Sequence, residues 1–275
     1  MRKSIPGRHF AKNLIERRSL IFQLVKRDFQ QRYIGSAAGW LWGLIHPLVL
    51  LGIYTFIFGV CLRTPLGPGE VTSNYSLFLL SGMLPWLLFQ ETVQRSSGSI
   101  VEQSNLITKT MFPSEIVPVS IFLSSLISHL LAVGLFVAVV AITERQLPGP
   151  AFALLPVGML LIGLFAVGMG WIVAALQVYL RDTAQIVIVA LTLWYWITPI
   201  VITEATFRSS PYGEAARFVL SFNPLVYIVR TYRQMLLGHS FPWQDIGMAA
   251  GFGTAAFLVG GLFFRKLKRG FADVL

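Results

Sequence analysis

The sequence is poor in charge: only 12% of its 275 residues are Asp, Glu, Lys or Arg, whereas 55% are apolar. A soluble domain carries about 25% charged residues, because a surface in contact with water needs them. The shortage of charge excludes an ordinary soluble domain. Together with a mean hydropathy of +0.68, it indicates a chain whose solvent is lipid.

Cysteine and the common catalytic motifs are also missing. Cys61 is the one cysteine, which excludes a disulfide within the chain and a cysteine-based metal cluster. The sequence contains no G-x-x-x-x-G-K-[ST], G-x-S-x-G or H-E-x-x-H motif. The chain therefore cannot hold ATP in a P-loop of its own. We expect no catalytic residue, no metal site and no bound cofactor.

What the sequence does contain is long apolar segments, six of them close to the 20 residues needed to cross a bilayer. They cover residues 36–62, 75–93, 116–142, 152–180, 185–201 and 246–264. Lys and Arg residues gather before the first segment, in the loops after the second and fourth, and in the tail. This bias predicts an all-α integral membrane protein with six transmembrane helices and both termini in the cytoplasm.

Residues 1–34 differ from the transmembrane domain predicted over 35–275. One helical face carries Phe10, Leu14, Ile21, Val25 and Phe29. Such a face predicts an amphipathic helix on the inner membrane surface, held there by burial and by anionic lipid. Arg18 interrupts the face and predicts a break in the helix. Because no apolar run follows the first basic residues, we expect a retained N-terminus instead of a cleaved signal peptide.

Residues 215–237 resemble a seventh span, but they contain arginines. Burying Arg217, Arg230 and Arg233 in the hydrocarbon core would cost about 2.5–3.5 kcal/mol each. We predict short interfacial or re-entrant helices on the outer side instead.

Three ionisable residues fall within the predicted spans: His46, Glu91 and His129. We interpret His46, which precedes Pro47, as bonding a carbonyl freed at a kink, and His129 as a helix–helix hydrogen bond. Glu91 is expected to pair with Arg95 or to reach the interface. A chain with transport architecture and so few ionisable groups implies a partner that supplies the energy.

Small and aromatic residues cluster in the first and fifth spans. Gly35, Gly39 and Gly43 predict close packing of helices, either between two copies or within the chain. The aromatic residues in and near these two spans fit either a membrane-interface belt or a surface that stacks on the sugar rings of a long carbohydrate. The candidates for such a path are Tyr33, Trp40, Trp42, Tyr54, Phe58, Trp194, Tyr195 and Trp196.

The predicted inner loop over 97–118 mixes polar and apolar residues. Its central residues are Asn105, Leu106, Ile107, Thr108, Lys109, Met111 and Phe112. An apolar helical stub of this kind is typical of a segment that docks in the groove of a partner. A loop lying on the membrane surface is the alternative.

Ordered short motifs give the chain a family resemblance. They include Lys26-Arg27-Asp28-Phe29, Gly39-Trp40-Leu41-Trp42, His46-Pro47-Leu48, Pro85-Trp86, Phe112-Pro113, Tyr179-Leu180-Arg181-Asp182, Thr198-Pro199-Ile200 and Phe222-Asn223-Pro224-Leu225. In their order and spacing, these motifs resemble the permease subunit of type-2 ABC exporters. The branch in question exports polysaccharides such as O-antigen, capsule or teichoic acid.

The resemblance implies a homodimer in the bacterial cytoplasmic (inner) membrane, assembled with two copies of a separate P-loop ATPase that binds ATP and Mg²⁺. The substrate would be a lipid-linked polymer, with no role for nucleic acid. The segment from Asn105 to Phe112 would be the coupling helix that contacts the ATPase. The outer gate would include Asn223, Pro224, Arg230 and Arg233.

Two other functions remain open at this point. One is a type-2 ABC permease for a small molecule or lipid, and the other is an intramembrane glycolipid-modifying enzyme. Compact outer loops fit both kinds of permease, whereas the Trp-rich spans favour a polymer. An enzyme would need a carboxylate or histidine cluster at one membrane face, and Arg181-Asp182 is the one close charged pair there.

Reversing the charge at Lys109 tests the coupling helix. We expect Lys109→Glu to weaken the link to the ATPase, because the new carboxylate would change the electrostatics of the docking surface. The measurement is substrate-stimulated ATP hydrolysis by the purified complex. Unchanged stimulation would argue against coupling through this segment.

Overall fold

The computed structural model describes residues 17–33, 39–63, 66–67, 69–109, 112–145, 148–238 and 240–275, and every regular element within them is helical. The side chains of Tyr33, Trp40 and Lys109 lie outside the described part. The helices are α1 (Arg18–Tyr33), α2 (Trp42–Tyr54), α3 (Tyr75–Glu102), α4 (Ser104–Lys109), α5 (Ile116–Thr143), α6 (Leu155–Tyr179), α7 (Thr183–Ile197), α8 (Glu204–Arg208), α9 (Gly213–Phe222), α10 (Pro224–Leu237), α11 (Trp243–Leu267) and α12 (Phe271–Val274).

Helices α3, α5, α6 and α11 are long and apolar enough to cross a membrane. With their flanking turns they cover Tyr75–Glu102, Ile116–Ile142, Pro150–Tyr179 and Trp243–Gly270. Helix α2, which continues as a π-helical turn (Thr55–Cys61), and helix α7 are also apolar but shorter. The prediction of an all-α integral membrane protein is confirmed at this level.

Helix α6 lies at the centre and packs against α3, α5, α10 and α11. Glycines let α11 approach α6 closely. A Cβ atom added at Gly260 would collide with the backbone of Gly168, and one added at Gly168 would collide with the backbone of Ala256. Small residues at such crossings bring two backbones together in lipid, where packing must replace the hydrophobic effect between helices.

The boundaries of two predicted spans were wrong. Helix α3 continues to Glu102, nine residues beyond the predicted end. The Ser97 and Ser99 hydroxyls donate to carbonyls of their own helix, those of Gln94 at 2.6 Å and Ser96 at 2.8 Å. A serine-rich stretch therefore remains helical without external partners. Helix α7 ends at Ile197, since the Thr198–Pro199 step disfavours helical backbone before proline.

Helix α1 packs on protein, which corrects the expectation that its apolar face lies on lipid. Ile21 and Leu24 are buried against Ile116 at the start of α5, with Val25 and Phe112 at the edge of this small core. Helix α1 begins at Arg18, and the residues before Arg17 lie outside the described part, so the predicted break stays a prediction. Phe10 and Leu14 lie outside the described residues.

The predicted glycine stripe does not form one helical face in the described residues. Gly39 has φ +52° in a 3-10 turn (Gly39–Leu41), a left-handed conformation that favours glycine, and α2 begins only at Trp42. The chain thus turns between Gly39 and Gly43. Gly35 lies outside the described residues.

The C-terminal tail lies at the same end of the bundle as α1. Lys268 forms an ion pair with Glu115, which directly precedes α5. The Trp171 indole donates to the Glu115 carbonyl oxygen at 2.9 Å, and the Tyr179 hydroxyl donates to the Leu267 carbonyl oxygen at 2.9 Å. Helix α1 and the C-terminal tail therefore both lie near the start of α5.

The stretch 215–237 is split into α9 and α10 at Asn223 and Pro224. The Asn223 side chain accepts from the backbone N–H of Leu225 at 3.1 Å and caps α10. Proline follows at the first helical position, where its missing N–H costs nothing. The prediction of short helices here, in place of a span, is consistent with this break.

A methyl group added at the crossing of α6 and α11 tests how far the stability of the bundle depends on the close approach of these helices. We expect Gly260→Ala to destabilise the fold by roughly 1–3 kcal/mol, the usual range for overpacking, because the methyl group meets backbone that cannot move aside. Gly251→Ala is the matched control, since a Cβ atom there meets nothing within 4 Å. Thermal unfolding in detergent measures both variants, and equal melting temperatures would contradict the prediction.

Candidate functional site

Two adjoining cavities run along the face formed by α2 and α3. The first cavity, of about 350 Å³, lies between these helices, α5 and the end of α1, and is lined by Arg32, Trp42, Glu91 and Ser128 among others. The second cavity, of about 240 Å³, lies between α2, α3 and α7. His46, Leu87 and Gln90 line both cavities, so the two form one continuous surface.

Aromatic rings dominate the second cavity. Tyr54, Trp86, Tyr195 and Trp196 line it. The ring centroids of Trp86 and Tyr195 are 5.3 Å apart, those of Tyr195 and Trp196 are 5.5 Å apart, and those of Tyr54 and Tyr195 are 6.3 Å apart. Phe58, on the π-helical turn, extends the row at 6.2 Å from Tyr54. The arrangement presents apolar ring faces beside the amide of Gln90.

Trp194 differs from its neighbours because it points into the bundle. Its indole donates to the Asn223 side chain at 2.8 Å, and its ring meets Phe89 edge-on with centroids 5.5 Å apart. The Asn223 amide in turn donates to the Thr198 hydroxyl at 3.1 Å. Trp194 thereby ties the end of α7 to the cap of α10, while Trp196 remains 48% exposed.

Four charged residues form a ring where α1 meets α3, hereafter the charge ring: Asp28, Arg32, Glu91 and Arg95. Arg95 pairs with Asp28, and Arg32 Nη1 lies 2.5 Å from Glu91 Oε1. Two longer contacts close the ring: Arg32 to Asp28 at 3.4 Å and Arg95 to Glu91 at 3.6 Å. Glu91 thus pairs with Arg95, as the sequence predicted, but its shorter contact is with another helix.

The charge ring changes the acidity of Asp28. Burial raises the pKa of this carboxyl group, but the hydrogen bond from Arg95 and the charges of Arg95 and Arg32 outweigh it. They hold the pKa of Asp28 below its ordinary value. Asp28 is therefore ionised at neutral pH and holds α1 against α3 as a charged group.

Five residues of the predicted coupling segment lie in α4: Asn105, Leu106, Ile107, Thr108 and Lys109. Asn105 and Leu106 line a third cavity, of about 390 Å³, between α1, α3, α4 and α5, whereas Ile107 packs on the main core. Phe112 packs beside α1, and Met111 lies outside the described residues. The segment thus contains a short helix near α1, which packs partly on the core and partly borders a cavity.

A second charge network lies at the opposite end of the bundle. Arg230 on α10 makes two hydrogen bonds to Glu204 on α8 and a third, at 3.3 Å, to Asp245 on α11. The hydrogen bonds to Glu204 raise the pKa of Arg230 above its ordinary value despite burial. Helices α8, α10 and α11 are therefore joined through one guanidinium group.

Arg233 is buried beside this network without a carboxylate in hydrogen-bond contact among the described residues. Its guanidinium lies 3.6 Å from the centre of the Phe78 ring and donates to the Ile200 carbonyl oxygen at 3.0 Å. A desolvated cation over an aromatic ring gains about 2 kcal/mol or more. Gly82 provides the room, because a Cβ atom there would press on the guanidinium.

The two histidines of the predicted spans occupy different environments. His129 is buried between α5 and α10, with its Nε2 atom 3.4 Å from the Tyr232 hydroxyl. This contact agrees with the predicted helix–helix hydrogen bond. His46 is exposed and lines both cavities.

The structure brings four of the eight predicted aromatic candidates to the two cavities. Trp42 lines the first cavity, and Tyr54, Tyr195 and Trp196 line the second. Tyr33 ends α1 and Trp40 lies in the 3-10 turn, with side chains outside the described part. Sequence reasoning missed the charge ring, although its members stand four residues apart on each helix, a spacing that places them on one face.

Comparison with known proteins identifies the class of this membrane protein. Residues 19–237 match the family model described as ABC-2 type transporter. The chain belongs to this family.

Curated relatives include O-antigen export system permease proteins named RfbA. The one from Myxococcus xanthus is 30% identical over 239 residues, which cover 86% of this chain and 88% of the relative. One from Klebsiella pneumoniae is 26% identical over 259 residues, covering 93% of this chain and 95% of the relative.

Two tryptophans on α7 allow core packing to be tested separately from lining of the second cavity: Trp194 packs in the core, and Trp196 lines the cavity. We expect Trp194→Ala to lower stability by up to about 3–5 kcal/mol, because it removes a packed ring and the hydrogen bond to Asn223. Trp196→Ala is the control with the same change of side chain, and we expect little loss of stability from it. Thermal unfolding in detergent measures both, and equal destabilisation would contradict the assignment of Trp194 to the core.

Proposed function

We propose that the chain is the permease subunit of an ATP-driven exporter that moves a lipid-linked polysaccharide or a related cell-envelope polymer from the cytoplasm to the outside. The observation that carries the proposal is similarity to O-antigen export permeases along nearly the full length of both chains. The geometry supports it, because the two joined cavities offer ring faces for sugar stacking together with amide and hydroxyl groups for hydrogen bonds.

Six spans with both termini in the cytoplasm fit this function. Helices α2 and α7 would complete the set formed by α3, α5, α6 and α11. The position of α1 and the C-terminal tail at one end of the bundle supports the orientation, since both segments are rich in Lys and Arg. The membrane would then be the bacterial cytoplasmic (inner) membrane.

A homodimer would place a second copy against the open face of α2 and α7. Large apolar side chains on these helices point away from the chain, including Val49, Ile53, Val189 and Leu193. Lipid covers such residues in a monomer. In a dimer, two such faces would enclose the path between them, and the cavities of both copies would open to it.

The energy would come from two copies of a separate P-loop ATPase that binds ATP and Mg²⁺. Asn105 to Phe112 would form the coupling segment, with α4 as its described helix. A push on α4 would reach α3, which α4 contacts directly, and then α1 through the charge ring. The helices could then move as rigid bodies between inward-open and outward-open arrangements. Arg230 and Arg233 would hold the outer gate helices during this movement.

Deletion of the chain in its native host, followed by complementation, tests the proposal. We expect loss of surface polysaccharide with intracellular lipid-linked polymer accumulating, and a P-loop ATPase that co-purifies with the chain in mild detergent. Normal surface polymer after deletion would overturn the proposal. If the deletion abolished export of another compound but not of a polysaccharide, the chain would still be a permease, but the proposed cargo would be wrong.

The aromatic residues that line the second cavity are hereafter called the aromatic wall: Tyr54, Trp86, Tyr195 and Trp196. Their role can be tested in the complemented strain. We expect Tyr54→Ala to lower surface polymer several-fold, because it removes a ring from the second cavity, while protein level and ATPase co-purification stay unchanged. Tyr212→Ala, a 78% exposed ring far from both cavities, is the control. Equal polymer from the two variants would count against stacking at this wall.

A further inference from the structure

Gln90 on α3 lies where the first and second cavities adjoin. It lines both of them, together with His46 and Leu87. These three residues are hereafter the junction. A ligand that occupies both cavities has to pass the junction, so the hydrogen-bonding groups found there can distinguish one ligand from another.

A tryptophan fixes the direction in which the Gln90 amide points. Trp86 stands one helical turn earlier, and its Nε1 atom donates to Gln90 Oε1 at 2.6 Å. An indole N–H only donates, so the amide oxygen has to be the atom that faces Trp86. Trp86 is itself held in the core, where it is 2% exposed and its ring centroid lies 5.9 Å from that of Phe89. The protein therefore sets the orientation of the amide.

The nitrogen end of the same amide is open. Gln90 Nε2 has no acceptor among the residues that the structure describes, and the protein does not enclose it. A freely rotating amide offers both a donor and an acceptor to a sugar. Gln90 presents only N–H donors to the junction, and because Trp86 already holds the side chain, binding loses little of its conformational freedom.

A group that only donates is best matched by a ligand group that only accepts. We propose that Gln90 selects sugars that carry an acetamido group, whose carbonyl oxygen accepts from Nε2, and that Trp86 is the positioning residue for this contact. A sugar hydroxyl could also accept from Nε2. Its own proton would then need an acceptor, which Gln90 cannot offer because its oxygen is bonded to Trp86. An unmet polar group weakens binding, so the contact discriminates between the two sugars.

The surroundings favour a neutral acetamido group over a sugar carboxylate. Leu87, at the same junction, offers an apolar surface to the acetamido methyl group. Glu91 follows Gln90 in the chain and belongs to the charge ring, whose two arginines and two carboxylates carry no net charge. A sugar carboxylate would gain no net attraction from it. The assignment deepens the proposed function and rests on it for one point, that the cargo is a polysaccharide.

Two trisaccharides test the site in the full chain in lipid nanodiscs. The probes are chitotriose, built from N-acetylglucosamine, and cellotriose, which has the same linkage with a hydroxyl in place of each acetamido group. Calorimetry measures their dissociation constants. We expect the wild type to bind chitotriose about tenfold more tightly, since a neutral hydrogen bond and a buried methyl group contribute about that factor. Equal dissociation constants, or no binding of chitotriose, would overturn the proposal.

Two substitutions at Gln90 remove its donor in different ways. Gln90→Glu keeps an oxygen for the Trp86 indole but has no N–H, and it is measured at about pH 8, where the new carboxyl group is ionised. Gln90→Leu removes the amide without adding charge. We expect both variants to lower the preference for chitotriose several-fold, because only the methyl contact remains. Gln244→Leu, the same change at an exposed residue of α11, is the control and keeps the preference.

Trp86→Phe separates positioning from packing. It keeps an aromatic ring in the aromatic wall but releases the Gln90 amide, which can then turn its oxygen towards a hydroxyl. We expect the preference to fall because cellotriose binds more tightly, whereas a merely structural loss would weaken both sugars alike. In a chain that already carries Gln90→Leu, the same change is expected to leave the preference unaltered. A wild-type preference in the single Trp86→Phe variant would refute the positioning role.

Thermal unfolding and export complete the test. A preference for chitotriose that persists in both Gln90 variants, at unchanged melting temperature, would overturn the proposal even where polymer export is confirmed. A Gln90-dependent preference in a chain whose deletion leaves surface polysaccharide normal would reject the proposed function and retain the site.

Discussion

Hydrocarbon offers no hydrogen-bond partners, so each charged side chain near the spans of this protein must find its partner within the chain. That constraint explains why the charges of the described helices occur in groups. The charge ring joins α1 to α3, Arg230 joins α8, α10 and α11, and Lys268 joins the tail to Glu115. Breaking one member of such a group leaves the other charge unpaired, which costs more than the pair itself contributes. Few charges therefore fix the positions of many helices.

Between these charged ends, helix packing depends on residues without side chains. The Gly168–Gly260 crossing brings α6 and α11 into backbone contact, and Gly82 gives Arg233 its place over Phe78. The two sets of glycines have opposite effects. The pair Gly168 and Gly260 lets two helix backbones touch, whereas Gly82 leaves room for a guanidinium group that is buried from solvent. Helix α6 forms the rigid centre, whereas α2 and α7 contact it less and form the wall of the cavities.

The face formed by α2 and α3 combines a polar end with an aromatic end. At the α1 end, the first cavity meets the charge ring; further along, the second cavity is lined by rings and by Gln90. The proposed polymer would contact the aromatic end, because the apolar faces of sugar rings stack on aromatic rings.

The amino-acid sequence by itself determined the membrane class, the positions of most helices and the family, because hydropathy runs and the order of short motifs are local properties. It also predicted short helices over residues 215–237, which the structure divides at Asn223 and Pro224. Only the tertiary structure decided that Trp194 packs inward while Trp196 lines a cavity, since residues two apart on a helix face different neighbours. Likewise, the spacing of Asp28 and Arg32, and of Glu91 and Arg95, was visible in the sequence, but the ring they form depends on how α1 lies against α3. Long-range pairing of this kind is set by packing, on which a single sequence carries no direct signal.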